Sequence, residues 1–233
     1  MQESPATVTR SPSPAGVKPF RFHTSLVLQE STGLRAATLP TLLKLLHTVP
    51  DSSVYYHTHY FLLQHHYLTP EPTNDFAYWV SEVLRETLLG EQLASIDTME
   101  HATLQSLRQT ITGAIERYLE AHPTARVKFV SEGQEFFFMK AVHVILPTPY
   151  AVSTLLEFAQ ALERVSVQSI YFHVFDARLR LSQPTNDFAR WMTDQLGLKR
   201  LGEEVARLDP YTQTLETLRA TLLALIRQEL GLQ

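Results

Sequence analysis

Hydrophobic and polar positions follow the same order twice along the chain. Residues 20–28 and 136–146 are apolar, aromatic runs, which are typical of strands. After each run, apolar residues recur at intervals of three, four and seven, which predicts an amphipathic helix. These residues are Leu39, Leu42, Leu43, Leu46 and Val49 in the first half, and Leu155, Phe158, Ala159, Leu162 and Val165 in the second.

Three further helices are predicted in each half. Residues 52–67 begin with a strand-like alternation, but the corresponding stretch near residue 170 has helical spacing, which favours a helix. Asn74 or Thr73 can cap the next helix, and Asp75 complements its dipole. Long amphipathic helices at 102–119 and 212–230 close the two halves. The capped helix has an apolar stripe of Phe76, Trp79, Val80, Val83 and Leu84, repeated as Phe188, Trp191, Met192 and Leu196.

The two halves also match residue by residue. At an offset of 116, residues 37–57 align with 153–173 and seven positions are identical. At an offset of 112, residues 72–97 align with 184–209 and thirteen of the twenty-six positions are identical. Because the period is the size of a domain, these matches indicate a duplicated unit rather than a repeat array.

We therefore predict an α+β, mainly helical fold: a tandem duplication with pseudo-two-fold symmetry. Each unit would be a short strand followed by about four helices. The predicted boundaries are a disordered tail at 1–19, unit one at 20–119, a linker at 120–135 and unit two at 136–233, with both units in one globular body.

Composition narrows the classes of function. The chain has 233 residues, 44% of them hydrophobic, so it can bury a sizeable core. Its formal net charge of −4 gives no general cationic field, so we expect no nucleic-acid partner. The absence of cysteine removes thiolate chemistry and fits a cytoplasmic location. Since no run of 18 apolar residues occurs, we expect no membrane span.

Two short motifs occur in both halves. A Tyr-x-His stretch is found at residues 55–57 and 171–173, and the sequence Pro-Thr-Asn-Asp-Phe-Ala-x-Trp at 72–79 and 184–191. This combination resembles a bacterial and archaeal family of uncharacterised proteins, domain of unknown function 5752. The resemblance covers nearly all of residues 20–230 and implies a prokaryotic origin, with no established activity, cofactor or catalytic residue.

The shared polar residues allow two interpretations. His57 with Asp75, and His173 with Asp187, could each form a general base oriented by a carboxylate, as in a hydrolase or transferase acting on a small polar substrate. Alternatively, the histidines satisfy buried hydrogen bonds and the Asn-Asp pairs begin helices, which we favour. The candidate ligand-binding residues are Tyr55, His57, Asn74, Trp79, Tyr171, His173, Arg178, Asn186 and Trp191.

Some polar residues occur in one half alone, and an asymmetric site should involve them. His59, His65 and His66 occur in the first half, and Asp176, Arg178 and Arg180 in the second. We expect the arginines to lie on a solvated helix face with an Asp176–Arg180 contact. Because the histidines of 57–66 lack the three- or four-residue spacing of a helical metal site, we predict no metal. No phosphate-binding loop or nucleophile elbow occurs, and we expect no cofactor.

These observations favour a non-catalytic cytoplasmic binding, adaptor or regulatory protein. Its aromatic-rich surface, or the groove between the copies, would hold a protein partner or a small ligand. An enzyme using the His and Asp residues is the second hypothesis. A structural subunit of a larger assembly is the third, and would expose apolar faces on the terminal helices. The sequence leaves the oligomeric state open.

Overall fold

The fold is α+β and mainly helical, as predicted, with one two-stranded sheet. The computed structural model describes residues 16–61, 73–181, 185–208 and 214–232. We call the chain before the second strand the first half and the remainder the second half. Among the described residues, no helix has both the length and the apolar character needed to cross a membrane.

Helices of the first half follow strand β1 (Phe20–Ala36). They are α1 (Leu39–Leu46), α2 (Asp51–Tyr55) with a π-helical turn at Tyr56–Tyr60, α3 (Asp75–Tyr78) with a π-helical turn at Trp79–Val83, α4 (Thr87–Ala94) and α5 (Leu104–Ala121). Short 3-10 turns lie at Thr98–Glu100 and Pro123–Arg126.

Helices of the second half follow strand β2 (Phe136–Val152) in a similar order. They are α6 (Leu155–Leu162), α7 (Val167–Tyr171) with a π-helical turn at Phe172–Asp176, α8 (Ala177–Leu181), α9 (Asp187–Asp194), α10 (Lys199–Ala206) and α11 (Leu215–Glu229).

The two strands form a long antiparallel ribbon. Its register runs from Phe20 opposite Val152 to Ala36 opposite Phe136, with irregularities near both ends. The prediction of a short strand was wrong, because each strand has 17 residues. The apolar runs end before the strands do. The later residues of each strand still pair through their backbone with the first, apolar residues of the other strand.

Each strand begins in the core of the other half. Phe20 and Phe22, although they precede the first helices, are buried in a cluster with Phe158 and Phe188. Phe136 and Phe138 are buried among first-half helices, where Phe136 stacks on Phe76. We call this arrangement strand exchange. Core contacts therefore cross the proposed unit boundaries at 20 and 136 in both directions. The boundaries themselves remain predictions.

Most predicted helices are confirmed, with shifted ends. The ambiguous region after residue 50 is helical from Asp51 to Tyr60, while the predicted continuation from 62 to 67 lies outside the described residues. Thr38 and Thr154 cap the helices that follow the ribbon, and Thr154 forms a capping box with Glu157. In the described part of the chain, three π-helical turns interrupt regular helix, a feature that apolar periodicity does not signal.

Candidate functional site

His57 connects helix α3 to the exchanged strand β2. The π-helical turn after α2 buries its ring, which is 3% exposed. Its Nδ1 lies 2.7 Å from Asp75 Oδ2, and its Nε2 accepts the backbone N–H of Met139 at 2.9 Å. Because a backbone amide can only donate, Nε2 carries no proton and Nδ1–H donates to the carboxylate.

His173 makes the corresponding contacts in the second half. Its Nδ1 lies 2.8 Å from Asp187 Oδ2, and its Nε2 accepts the backbone N–H of His23 on β1 at 2.8 Å. Nearby serines complete both connections, since Ser53 donates to the Met139 carbonyl and Ser169 to the His23 carbonyl, each at 2.6 Å. Each strand is therefore held at one residue through both its N–H and its C=O.

These contacts limit what the His–Asp pairs can do chemically. A general base needs an unprotonated ring nitrogen directed at the substrate. In both rings the unprotonated nitrogen accepts a backbone amide, and the protonated one faces the carboxylate. The arrangement matches the structural interpretation of these residues more closely than the catalytic one.

Asn74 and Asn186 cap helices α3 and α9. Their side-chain oxygens accept the N–H of Ala77 and of Ala189, both at 2.9 Å. Their amide nitrogens donate to carbonyls near the ends of α4 and α10, namely Leu93 O at 3.0 Å and Val205 O at 3.1 Å. Each amide therefore joins the start of one helix to the end of the next.

The two tryptophans are buried and fix the chain that leads into each exchanged strand. Trp79 Nε1 donates to the Gln134 carbonyl at 2.8 Å, and Trp191 Nε1 donates to the Lys18 carbonyl at 2.9 Å. Trp191 and Asp187 also line a shallow, polar depression of about 350 Å³ together with residues 18–21.

Tyr55 and Tyr171 meet where the two halves face each other beneath the ribbon. Their hydroxyl oxygens lie 3.3 Å apart, and both side chains are buried. Tyr55 donates to Asp176 Oδ1 at 2.9 Å, while Tyr171 lies 3.3 Å from the His59 carbonyl oxygen. The structure thus brings these two candidates together with Asp176.

A cavity of about 380 Å³ opens beside this contact. Residues of both halves line it, and we call it the seam cavity. His143 reaches into it from β2, with Nδ1 3.8 Å from Asp176 Oδ2 and its ring 4.7 Å from that of Tyr55. The lining residues are Ser52, Tyr55, Leu104, His143, Ile145, Phe172, Asp176 and Leu179.

Sequence reasoning marked Asp176 as particular to the second half but did not identify His143 as a site residue. The available signal was that His143 interrupts the apolar run of β2. His143 and Asp176 of the cavity correspond, 116 residues earlier in the chain, to Val27 and Tyr60. Partial burial lowers the pKa of His143 below its ordinary value, because it disfavours the charged ring.

The remaining one-sided residues lie in different environments. His59 is buried, and burial together with neighbouring His101 lowers its pKa to about 4. His65 and His66 lie outside the described residues, as does the Arg180 side chain. The expectation of a solvated Arg178 was wrong, because its guanidinium is half-buried and donates to the Ala206 carbonyl at 2.6 Å. Within the described ranges, no cluster of three metal-binding side chains occurs.

The outer face of the ribbon exposes a stripe of large apolar side chains. Paired strand residues share a face, so Leu26 lies beside Val144 and Leu28 beside Val142. Glu30 and Lys140 form an ion pair of 2.9 Å at one end of the stripe. We define the ribbon stripe as Leu26, Leu28, Val142, Val144 and Leu146, whose exposed fractions lie between 37% and 53%.

The fold and site define a class of mainly helical protein in which two helical halves share one antiparallel ribbon and hold its strands through His–Asp pairs. Residues 17–227 match the model of a family described as "Family of unknown function (DUF5752)", and the chain belongs to this family.

A solved structure of similar fold is that of OrfY from Thermoproteus tenax, which has 26% sequence identity and a TM-score of 0.77. The similarity covers 91% of this chain and 97% of OrfY. Comparison with curated proteins gives no match.

Proposed function

We propose that the protein is a non-catalytic cytoplasmic binding protein with a regulatory or adaptor role, and that its ligand occupies the cavity lined by Tyr55, His143 and Asp176. The cavity at the seam carries this proposal. A ligand there contacts first-half helices, second-half helices and β2 together, so its binding free energy is coupled to how the two halves pack.

The motif residues that occur in both halves have a different role in this proposal. We propose that the halves are tandem copies related by pseudo-two-fold symmetry, and that His57, His173 and their aspartates hold the exchanged strands. Support comes from contacts that recur 116 residues apart, such as Thr32 to the Phe138 carbonyl and Thr148 to the Phe22 carbonyl. The catalytic alternative requires a ring nitrogen that turns away from the strand to reach a substrate.

The test is a ligand screen with a variant that fills the cavity. Thermal unfolding of wild type is measured against a panel of amines, sugars, organic acids and nucleotides. Ile145→Trp places a bulky indole ring at the cavity rim. Leu146→Trp, one residue further along β2, is the control, because its side chain points to the opposite face of the ribbon.

A ligand that raises the melting temperature of wild type and Leu146→Trp, but not of Ile145→Trp, supports the proposal. Equal shifts in all three proteins would place the ligand elsewhere and overturn it.

The ribbon stripe supports a second candidate function, assembly with a second copy of this chain. Two ribbons packed face to face about an axis parallel to the strands would place β1 of one copy over β2 of the other. Leu26 would then meet Val144 of the second copy, and Glu30 would meet its Lys140, so both the apolar and the charged residues are complementary.

Sedimentation velocity tests this assembly. We expect wild type to sediment as a dimer at micromolar concentration and Leu26→Lys as a folded monomer. Leu88→Lys is the matched control, because Leu88 is similarly exposed but lies on helix α4, far from the ribbon in sequence. A monomeric wild type would contradict this candidate function.

A further inference from the structure

Another cavity lies in the first half, beside helix α5 and against the end of helix α4. Its volume is about 420 Å³, which is in the range of small-molecule sites. We call it the α5 cavity. It shares no lining residue with the seam cavity, so it is a separate candidate site. Its lining includes the apolar residues Ile96, Ala114 and Ala121 and the polar residues Arg117 and His122.

Ala114 leaves this space open. It is buried on α5, and at an offset of 111 it corresponds to Leu225 of α11. Leu225 packs against the second-half core with a longer side chain than alanine has. The exchange of leucine for alanine therefore removes apolar volume from the first half at the point where the cavity lies.

Arg117 gives the cavity a positive charge. It lies one helical turn after Ala114, and no aspartate or glutamate is among the described residues of the lining. Glu116 and Glu120, its acidic neighbours on α5, do not line the cavity, and Glu116 pairs with His47 at 3.3 Å. Arg117 itself forms no ion pair with any residue that the structure describes. A ligand carboxylate can therefore pair with this guanidinium without displacing a partner.

Tyr118 and His122 add aromatic surface to the same cavity. Their rings stack with centroids 4.2 Å apart and planes inclined by 18°. The Tyr118 hydroxyl donates to Glu86, which also accepts a hydrogen bond from Lys128 at 3.0 Å, so the ring is fixed and the Glu86 charge is balanced. Stacked rings offer a fixed surface for a flat apolar group.

We infer that the α5 cavity binds an organic carboxylate with a flat apolar body, the carboxylate on Arg117 and the body against Ile96, Ala114 and the stacked rings. A guanidinium suits this ligand because its planar N–H groups match the two oxygens of a carboxylate. One ligand binds per chain, since Leu225 and Gln228 stand at the positions of Ala114 and Arg117 in the second half. This site is additional to the one in the proposed function.

Isothermal titration calorimetry with three probes of one shape tests the inference. Benzoate, benzamide and benzamidinium share a phenyl ring and a flat head group, and they are negative, neutral and positive. We expect wild type to bind one benzoate per chain about fivefold more tightly than benzamide, because the guanidinium is exposed and partly hydrated. Benzamidinium should bind more weakly than either.

Two substitutions locate the site. Arg117→Gln should lower benzoate affinity to that of benzamide, and Ala114→Leu, which installs the residue of the second half, should abolish binding of both probes. The controls Arg200→Gln on α10 and Ala224→Leu on α11 make the same changes at exposed positions and should leave benzoate binding unchanged. If Ala114→Leu does not fold, the exposed Arg117→Gln change and the order of the three probes on wild type still decide the question.

The outcomes separate this inference from the proposed function. Benzamide or benzamidinium binding as tightly as benzoate, or no benzoate binding at all, overturns the inference. Benzoate binding that survives both Arg117→Gln and Ala114→Leu also overturns it. If Ile145→Trp abolishes benzoate binding and Ala114→Leu does not, the ligand lies in the seam cavity, which overturns this inference but supports the proposed function.

Discussion

At the scale of single residues, His57 and His173 explain why a buried histidine and a helix-starting aspartate occur together in both halves. Each imidazole satisfies a carboxylate with one nitrogen and a strand amide with the other. A residue that makes two partly buried hydrogen bonds leaves two groups without that partner when it is removed. The free-energy cost is therefore larger than that of one lost contact.

We expect His57→Ala and His173→Ala to lower the free energy of unfolding by about 2–4 kcal/mol each, because each leaves a strand amide and a carboxylate without their histidine partner. Urea unfolding at neutral pH measures this. His47→Ala is the control, since the His47 side chain is half-exposed and its ion pair is with the equally exposed Glu116, so its effect should stay within about 0.5 kcal/mol. A His57 or His173 variant of unchanged stability would favour the catalytic interpretation.

His59 makes stability depend on pH. Its folded-state pKa of about 4, lowered by burial and then by His101, lies below the ordinary value of 6.5. As pH falls through this interval, the unfolded chain binds a proton that the folded chain does not, so stability is full above pH 6.5 and is lost towards pH 4. The loss attributable to His59 is about 3 kcal/mol.

His59→Phe should remove this part of the pH dependence. Phenylalanine stands at the corresponding position, where Phe175 stacks on Tyr171 as His59 stacks on Tyr55. Urea unfolding of both proteins at pH 7.5, 6 and 4.5 is the measurement. Parallel pH profiles for wild type and variant would show that His59 does not titrate in this interval.

At the scale of elements, the turn after helix α3 differs from its counterpart after α9. Arg85 has a φ of 63°, whereas Gly197, at the corresponding position of the aligned motif, has a φ of 70°. Glycine adopts this left-handed conformation without steric cost, but arginine does not. The first half therefore carries local strain that the second half avoids.

Arg85→Gly should raise the free energy of unfolding by about 0.5–1 kcal/mol, and Gly197→Arg should lower it by about 1 kcal/mol or more. The exposed Arg85–Glu82 ion pair of 3.6 Å offsets little of the gain, and Lys128 can still donate to the carbonyl of residue 85. Thermal and urea unfolding provide the values. Destabilisation by Arg85→Gly would mean that the guanidinium makes a contact worth more than the backbone strain.

The sequence predicts helices better than it predicts the ribbon. Periodicity locates α1, α5 and α11, and the Asn74 cap, because these depend on local spacing and on side chains close in sequence. Strand length and exchange depend on pairing between residues more than 100 positions apart, which periodicity does not encode. The cavity is missed for the same reason, since Asp176, in the turn after α7, and His143, on β2, come together only in the folded chain.

At the scale of the whole molecule, strand exchange makes each core depend on the other half of the chain. Phe22 is fully buried against Phe158 and Phe188, while Phe138 is fully buried in the first-half cluster with Phe76. A defect at the start of one strand should therefore be felt in the helices of the opposite half. A ligand bound in the seam cavity, as we propose, would act on this same packing between the halves.

Phe22→Ala and Phe138→Ala test this dependence in the intact chain. Each deletes a buried ring and should cost about 3–5 kcal/mol. Under native conditions, Phe22→Ala should speed amide hydrogen exchange in α6 and α9 more than in α1 and α5, although Phe22 lies before α1 in sequence. Phe138→Ala should do the reverse, and mass spectrometry of proteolytic peptides resolves the two patterns. If each variant instead sped exchange in the helices nearest to it in sequence, the strands would not be exchanged. The two halves would then not be coupled through their cores, and the proposal that a ligand in the seam cavity acts on their packing would lose this support.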